Sequence, residues 1–148
     1  MSSTGVRQHD IGALQEAVSG FSAALRRLRS RDFRRGGLSL AQWHLVRRLA
    51  EHDELPAGRL AADAGLTPAT VTQTLDTLAT AGLVERVRSD TDRRVTLNRL
   101  TPAGRERYAE KRDEIARRWS DALADIPAAQ LEQAAEVLRR MSVVIDDL

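Results

Sequence analysis

Apolar residues recur at alternating steps of three and four from Ile11 through Leu14, Val18, Phe21 and Leu25 to Leu28. That spacing predicts a helix with one regular apolar seam. Asp10 stands where an N-cap belongs, and residues 1–8 before it read as a polar, frayed end. Arg26, Arg27, Arg29 and Arg31 collect at the other end, where cations suit the helix dipole. Gly36-Gly37 then breaks the pattern. Ser39, with Gln42 three residues on, forms a capping box for a helix from Leu40 to about Glu51, whose inner face is Trp43, Val46, Leu49 and Ala50.

Leu55-Pro56 restarts the chain, and a short helix follows over Ala57 to Ala64 with Leu60 and Ala61 inward. Gly65 ends it where a left-handed residue is wanted. Leu66 pins the turn, and Thr67-Pro68 opens the next helix with an N-cap and a proline in the first turn. Helix, short turn, helix is a helix-turn-helix. The second helix, Pro68 to about Thr80, buries Val71, Leu75 and Leu78, while Ala69, Thr70, Thr72, Gln73 and Thr77 make its other face. An ordinary surface helix would carry Lys and Glu there. Short hydrogen-bonding side chains instead let a helix backbone approach a partner closely, and Thr and Gln can meet base edges and thymine methyls in a major groove.

Gly82 stops that helix. Leu83 to Arg88 and Val95 to Leu100 read as two strands joined by Ser89-Asp90-Thr91-Asp92-Arg93-Arg94, a tip longer than a tight hairpin turn. Two arginines on an outward-reaching tip suit a narrow minor groove, whose negative potential attracts inserted Arg. The aspartates beside them make sense if one orients a guanidinium through charge-assisted hydrogen bonds. Thr101-Pro102 caps another helix towards Ala124, with Tyr108, Ile115, Trp119, Ala122 and Leu123 apolar. From Pro127 a last helix carries Leu131, Ala134, Leu138, Met141, Ile145 and Leu148 at helical spacing. The first and last helices are both seam-like, so residues 10–35 and 101–148 are expected to pair two copies of the chain. Residues 38–100 form the winged unit between them, and the expected fold is mainly α with a small β-hairpin, in one domain over 1–148.

Composition changes this picture little. The chain has 148 residues, a net charge of +2 and no cysteine, which excludes disulfides, thiolate metal sites and thiol-based sensing. Lys111 is the only lysine; every other cation is arginine, whose planar fork fits phosphates and guanine edges. His9, His44 and His52 lack metal-site spacing. No catalytic triad, Gly-rich phosphate loop or paired carboxylates stand out, so neither an enzyme nor a cofactor is expected. No apolar run nears the ~18 residues of a membrane span, and the N-terminus is unlike a signal peptide, which makes the cytoplasm the expected location.

The segments L-S-L-A-Q-W-H-L-V-R-R-L (Leu38 to Leu49), L-A-A-D-A-G-L-T-P-A-T-V-T-Q-T-L-D-T-L (Leu60 to Leu78), G-L-V-E-R (Gly82 to Arg86), D-T-D-R-R (Asp90 to Arg94) and L-T-P-A-G (Leu100 to Gly104) resemble the MarR family of bacterial transcription regulators. The likeness covers nearly the whole chain. It implies a homodimer joined through the first, fifth and sixth helices, here through Ile11, Leu14, Val18, Leu131, Leu138, Met141 and Ile145. It assigns the recognition helix to Pro68 through Thr80, capped by Thr67, with Ala69, Thr70, Thr72 and Gln73 reading DNA. The wing tip is Asp90 to Arg94: Arg93 or Arg94 would enter the minor groove, Asp92 would brace it, and Arg86 and Arg88 are candidates for phosphate contact.

Two positions depart from the family's pattern. No cation lies between Thr67 and Ala81, where relatives often carry one; this disfavours a bidentate Arg-guanine contact from the helix. Asn98 stands where an apolar residue is common, and reads as an exposed edge position. The resemblance further implies a repressor of a pseudo-palindromic double-stranded operator, relieved by a small aromatic or anionic effector near Trp43 and His44. The alternatives are an activator or ligand-independent DNA binder of the same fold and, from another class, a helical protein-interaction adaptor.

Overall fold

A computed structural model describes residues 3–30 and 37–146. Among them the elements run α1 (Ser3–Ser30), α2 (Leu40–His52), β1 (Glu54–Pro56), α3 (Ala57–Ala64), α4 (Pro68–Thr80), β2 (Val84–Arg88), β3 (Thr96–Leu100), α5 (Pro102–Ala122) and α6 (Ala128–Asp146). The chain divides into two compact units, residues 1–111 and 112–148.

Local chemistry accounts for most boundaries in the first unit. The Ser39 hydroxyl accepts from the Gln42 amide and the Gln42 side chain accepts from the Ser39 amide, closing the expected capping box. Gly65 takes the left-handed conformation (φ 60°) after α3, and the Thr67 hydroxyl caps α4 through the Thr70 amide, with Pro68 next in line. Gly82, at φ 71°, turns the chain from α4 into β2.

Three expectations need correction. The first helix begins at Ser3 and runs through Asp10 without a break, so Asp10 is no N-cap. The apolar seam marks where the helix has a face to bury, whereas the helical backbone extends into polar residues that periodicity does not mark. Arg31, residues 32–35, Gly36 and Leu148 lie outside the described residues. Second, the hairpin is part of a three-stranded antiparallel sheet of order β1-β3-β2; Leu55 and Pro56, expected only to restart the chain, pair with Asn98 and Leu97. Third, this extra strand makes β3 central and covers Asn98, which is 2% exposed rather than at an edge. Its Nδ2 donates to the Leu55 carbonyl at 3.2 Å and ties the two strands together.

The core of this unit joins α2, α3, α4 and the sheet through Leu45, Val46, Leu49, Leu60, Val71, Leu75, Leu78, Val84 and Leu100. Each buried aliphatic side chain contributes about 1.5–3 kcal/mol relative to exposure. Trp43 and Tyr108 stack at 5.4 Å between ring centroids and pack on the edge of this core, which brings the start of α5 onto α2. Polar links reinforce the frame. The Arg48 guanidinium on α2 meets Asp63 on α3 at 2.6 Å and Glu51 at 2.7 Å. Hydrogen bonding by Arg48 holds the Asp63 carboxyl below its usual range, and Arg47 does the same, with Arg48 adding to it, for Glu51.

Both carboxylates therefore stabilise the fold above their unfolded pKa, and the contribution is lost as pH falls through the depressed folded value. Asp63→Asn is expected to melt lower than the parent protein near neutral pH. The gap should close only as pH falls past the ordinary aspartate value of about 3.9 and through the lower folded one, where the carboxylate protonates. A gap in thermal midpoint that stays constant from neutral to acid pH would dissociate Asp63 from the acid sensitivity of the fold.

In the second unit α6 buries no side chain. Leu131, Val137, Leu138, Val143, Val144 and Ile145 are all exposed on it. On α1, Ile11, Leu14, Phe21 and Leu25 are exposed as well, while Val18 is partly covered. No helix among the described residues is long and apolar enough to cross a membrane.

Candidate nucleic-acid interface

The α4 helix is divided lengthwise. Val71, Leu75 and Leu78 are fully buried, and Ala69, Thr72, Gln73, Asp76 and Thr77 face solvent, with Thr70 half-buried. The threonine hydroxyls follow one rule. Thr72 donates to the Pro68 carbonyl, Thr74 to Thr70, Thr77 to Gln73 and Thr80 to Asp76, each at 2.7–3.0 Å. Such bonds to the carbonyl one turn back use the hydroxyl proton within the helix. They leave oxygen lone pairs and methyl groups on the outer face.

Asp76 is the one ionic side chain of α4. It does not stand alone: its Oδ1 accepts from Arg86 Nη2 on β2. Arg86, expected to face phosphate, is thus held against the helix. Arg88, two residues along and on the same side of β2, is exposed and makes no ion pair among the described residues.

The tip of the β2–β3 hairpin is closed by backbone hydrogen bonds from Ser89 to Val95 (3.0 Å) and from Val95 to Asp92 (2.9 Å). Asp92 Oδ1 accepts from the Arg94 amide at 3.0 Å and from Arg94 Nε at 3.3 Å. One carboxylate oxygen therefore fixes both the backbone and the root of a guanidinium that remains 92% exposed. Of the two tip arginines only Arg94 is braced in this way; Arg93 is exposed and points free of Asp92. Behind the tip, Arg99 on the central strand bridges Glu85 (2.8 Å) and Glu54 (3.3 Å). These bonds, to Glu85 first, raise the Arg99 pKa and lock the register of the sheet that carries the wing.

The base of the wing is clamped to the end of α4. Thr101 donates its amide to the Leu83 carbonyl (3.1 Å) and its hydroxyl to the Gly82 carbonyl (2.6 Å). The same hydroxyl accepts from the Gly104 amide at 3.0 Å. An added Cβ on Gly104 would lie 2.0 Å from the Leu83 carbonyl oxygen, so the Pro102-Ala103-Gly104 turn admits only hydrogen there. Leu100, Thr101 and Gly104 thus hold Leu83, and with it the angle at which the hairpin leaves α4.

The structure brings Thr67, Pro68, Ala69, Thr70, Thr72 and Gln73 onto one helix, with Arg86 and Arg88 on the adjoining strand and Asp92, Arg93 and Arg94 at its tip. The Asp76–Arg86 pair was missed because its members lie ten residues apart across a turn. Trp43 and His44 share α2, both half-buried, and the Trp43 ring is engaged by Tyr108. The seven residues expected at a dimer contact lie on α1 and α6.

Comparison with known proteins agrees with the fold. The MarR family pattern matches residues 38–96, from the last residues before α2 to the start of β3. An uncharacterised HTH-type transcriptional regulator of Bacillus subtilis, YdgJ, is 33% identical over 112 residues, which cover 76% of this chain and 68% of the relative. Among solved structures, the MarR family transcription regulator SP03579 superimposes with a TM-score of 0.84 at 20% identity, over 96% of each chain. FabT of Streptococcus pneumoniae, solved in complex with DNA, gives 0.72 at 19% identity, over 95% of this chain and 98% of the other. At those identities the two structures speak for the fold.

Proposed function

Since this chain belongs to the MarR family of DNA-binding transcriptional regulators, we propose that it acts as a homodimer on a pseudo-palindromic operator. In this reading it is a repressor that a small aromatic or anionic effector releases. The observation that carries the reading is the braced Arg94: a fully presented guanidinium whose direction is set by Asp92 at the tip of a hairpin attached to a helix-turn-helix. Inserted into a minor groove, such a cation meets a concentrated negative potential without paying to organise itself. The exposed α4 face, whose one charge is the paired Asp76, lies in the major groove, with Gln73 supplying an amide and the threonines supplying methyl groups and acceptor oxygens. Arg88 and Arg93, with no carboxylate partner among the described residues, are the phosphate contacts.

Homodimerisation is supported by the exposed apolar residues of α1 and α6. Among the described residues, ten large hydrophobics are left in water on these two helices, more than scattered surface residues account for, and they mark an interaction surface. A two-fold dimer then reads two half-sites about one helical turn apart. An effector would bear on α2 at Trp43 and His44, where the Trp43–Tyr108 stack provides an aromatic wall.

The test is fluorescence anisotropy on a duplex selected by the protein from a random-sequence pool, titrated at several salt concentrations. Binding should weaken steeply with salt, because phosphate contacts release counterions. Arg94→Ala should cost about 1–3 kcal/mol of operator affinity. Unchanged binding by that variant would remove the wing from the reading.

A further inference from the structure

Asp76 is a carboxylate on the exposed face of the helix that, in the reading above, enters the major groove between two phosphate chains. A negative charge there repels DNA, and a neutral face would have been reached by any polar residue. Asp76 nonetheless faces Arg86, the arginine nearest the helix on the strand that climbs to the wing, and holds its Nη2 at 2.5 Å. Among the described residues no other titratable group pairs with either one: Glu85, Arg86's neighbour, is taken by Arg99. On the adjoining central strand, Asn98 pairs in register with Arg86 and turns its own amide to Leu55. Arg86 is therefore committed to Asp76 while Arg88, Arg93 and Arg94 are not committed to any carboxylate off the tip.

We propose that Asp76 is a specificity-determining residue that withholds Arg86 from the phosphate backbone, so that the helix-side surface contributes no sequence-independent grip. This rests on the DNA-binding reading and deepens it. Phosphate contacts raise affinity for every sequence alike. A protein whose recognition helix reads by methyl contacts and neutral hydrogen bonds gains only modest discrimination per base pair, so each indiscriminate contact erodes a larger share of its selectivity. Pairing Arg86 internally keeps it as a strut between α4 and the wing strand and removes one phosphate contact per protomer from random-sequence binding.

The pair is half-exposed on both sides, so isosteric changes should leave the fold intact, which thermal melts check. Asp76→Asn, Arg86→Gln and the double variant would be titrated, as full-length protein, on a selected operator and on a random-sequence duplex across a range of salt. Asp76→Asn should bind the random duplex roughly three- to ten-fold tighter at low salt, with a slope of log affinity against log salt steeper by about 0.9 per protomer. Arg86→Gln, which bares the Asp76 charge, should bind the random duplex somewhat more weakly than the parent, and the double variant should return to the parent's affinity and slope. If the double variant, neutral like the pair it replaces, falls below the parent in random-duplex affinity and slope, Arg86 already sits on phosphate and the proposal is wrong. If the double variant keeps the gain of Asp76→Asn, repulsion by Asp76 alone explains it, and the withholding of Arg86 is refuted. Absence of binding by the parent to every duplex would instead overturn the DNA-binding reading itself.

Discussion

Gly104→Ala is expected to lower the thermal midpoint by roughly 10 °C, corresponding to about 3 kcal/mol of overpacking at a site that cannot relax. The new methyl would have to occupy space 2.0 Å from the Leu83 carbonyl oxygen and 3.3 Å from the Leu100 side chain. Neither obstacle is a flexible chain end. The Leu83 carbonyl is itself bonded to the Thr101 amide, and Thr101 holds Gly82 at the same time. Relief therefore requires moving α5 away from the turn between α4 and β2, breaking two or three hydrogen bonds as it goes. Gly58 provides the contrast. It lies in the first turn of α3 with nothing within 4 Å of a Cβ, so Gly58→Ala should stabilise by about 0.4–1 kcal/mol through lower entropy of the unfolded chain. Circular dichroism melts of the two variants, side by side, decide the matter; a Gly104→Ala midpoint within 2 °C or so of the parent would mean that the clamp is soft.

The second large effect concerns assembly. Leu138 and Ile145 are 53% and 60% exposed on α6, so placing glutamate at both leaves the core of residues 38–100 untouched. Under the homodimer reading, Leu138→Glu/Ile145→Glu should be monomeric by light scattering. Its operator affinity should fall by 100-fold or more, roughly the advantage of binding two linked half-sites over one. A double variant that remains dimeric would place the contact elsewhere. One that becomes monomeric yet binds the operator as well as the parent would separate assembly from DNA reading.

Much of this molecule was legible because its signals are local. The Ser39–Gln42 box, Gly65 and Thr67-Pro68 each fix a helix end through bonds spanning three or four residues, and α3 and α4 have the bounds their sequence predicts. The bond between Asp92 and Arg94 is local as well, although the sequence left open which of Arg93 and Arg94 the aspartate holds. What escaped was non-local. Glu54–Pro56 is a strand of three residues ending in proline, too short to show alternation, and it exists only because β3 lies alongside, some forty residues on. Missing it turned Asn98 from a central, buried residue into an edge. The Asp76–Arg86 pair likewise depends on the angle between α4 and β2, which Gly82, Leu83 and Thr101 set together. Leu45 is buried on α2 without having been assigned to its inner face, because α2 is covered on more than one side.

The lengthwise division of α4 bears on how such a protein can change over generations. Stability rests on Val71, Leu75 and Leu78, and the threonine face satisfies its own hydroxyls within the helix. Under the proposed DNA reading, substitution at Ala69, Thr72, Gln73 or Thr77 would therefore alter what the helix offers to a base pair and touch nothing in the core. Selection could then rewrite the preferred operator one residue at a time, with folding left as it was.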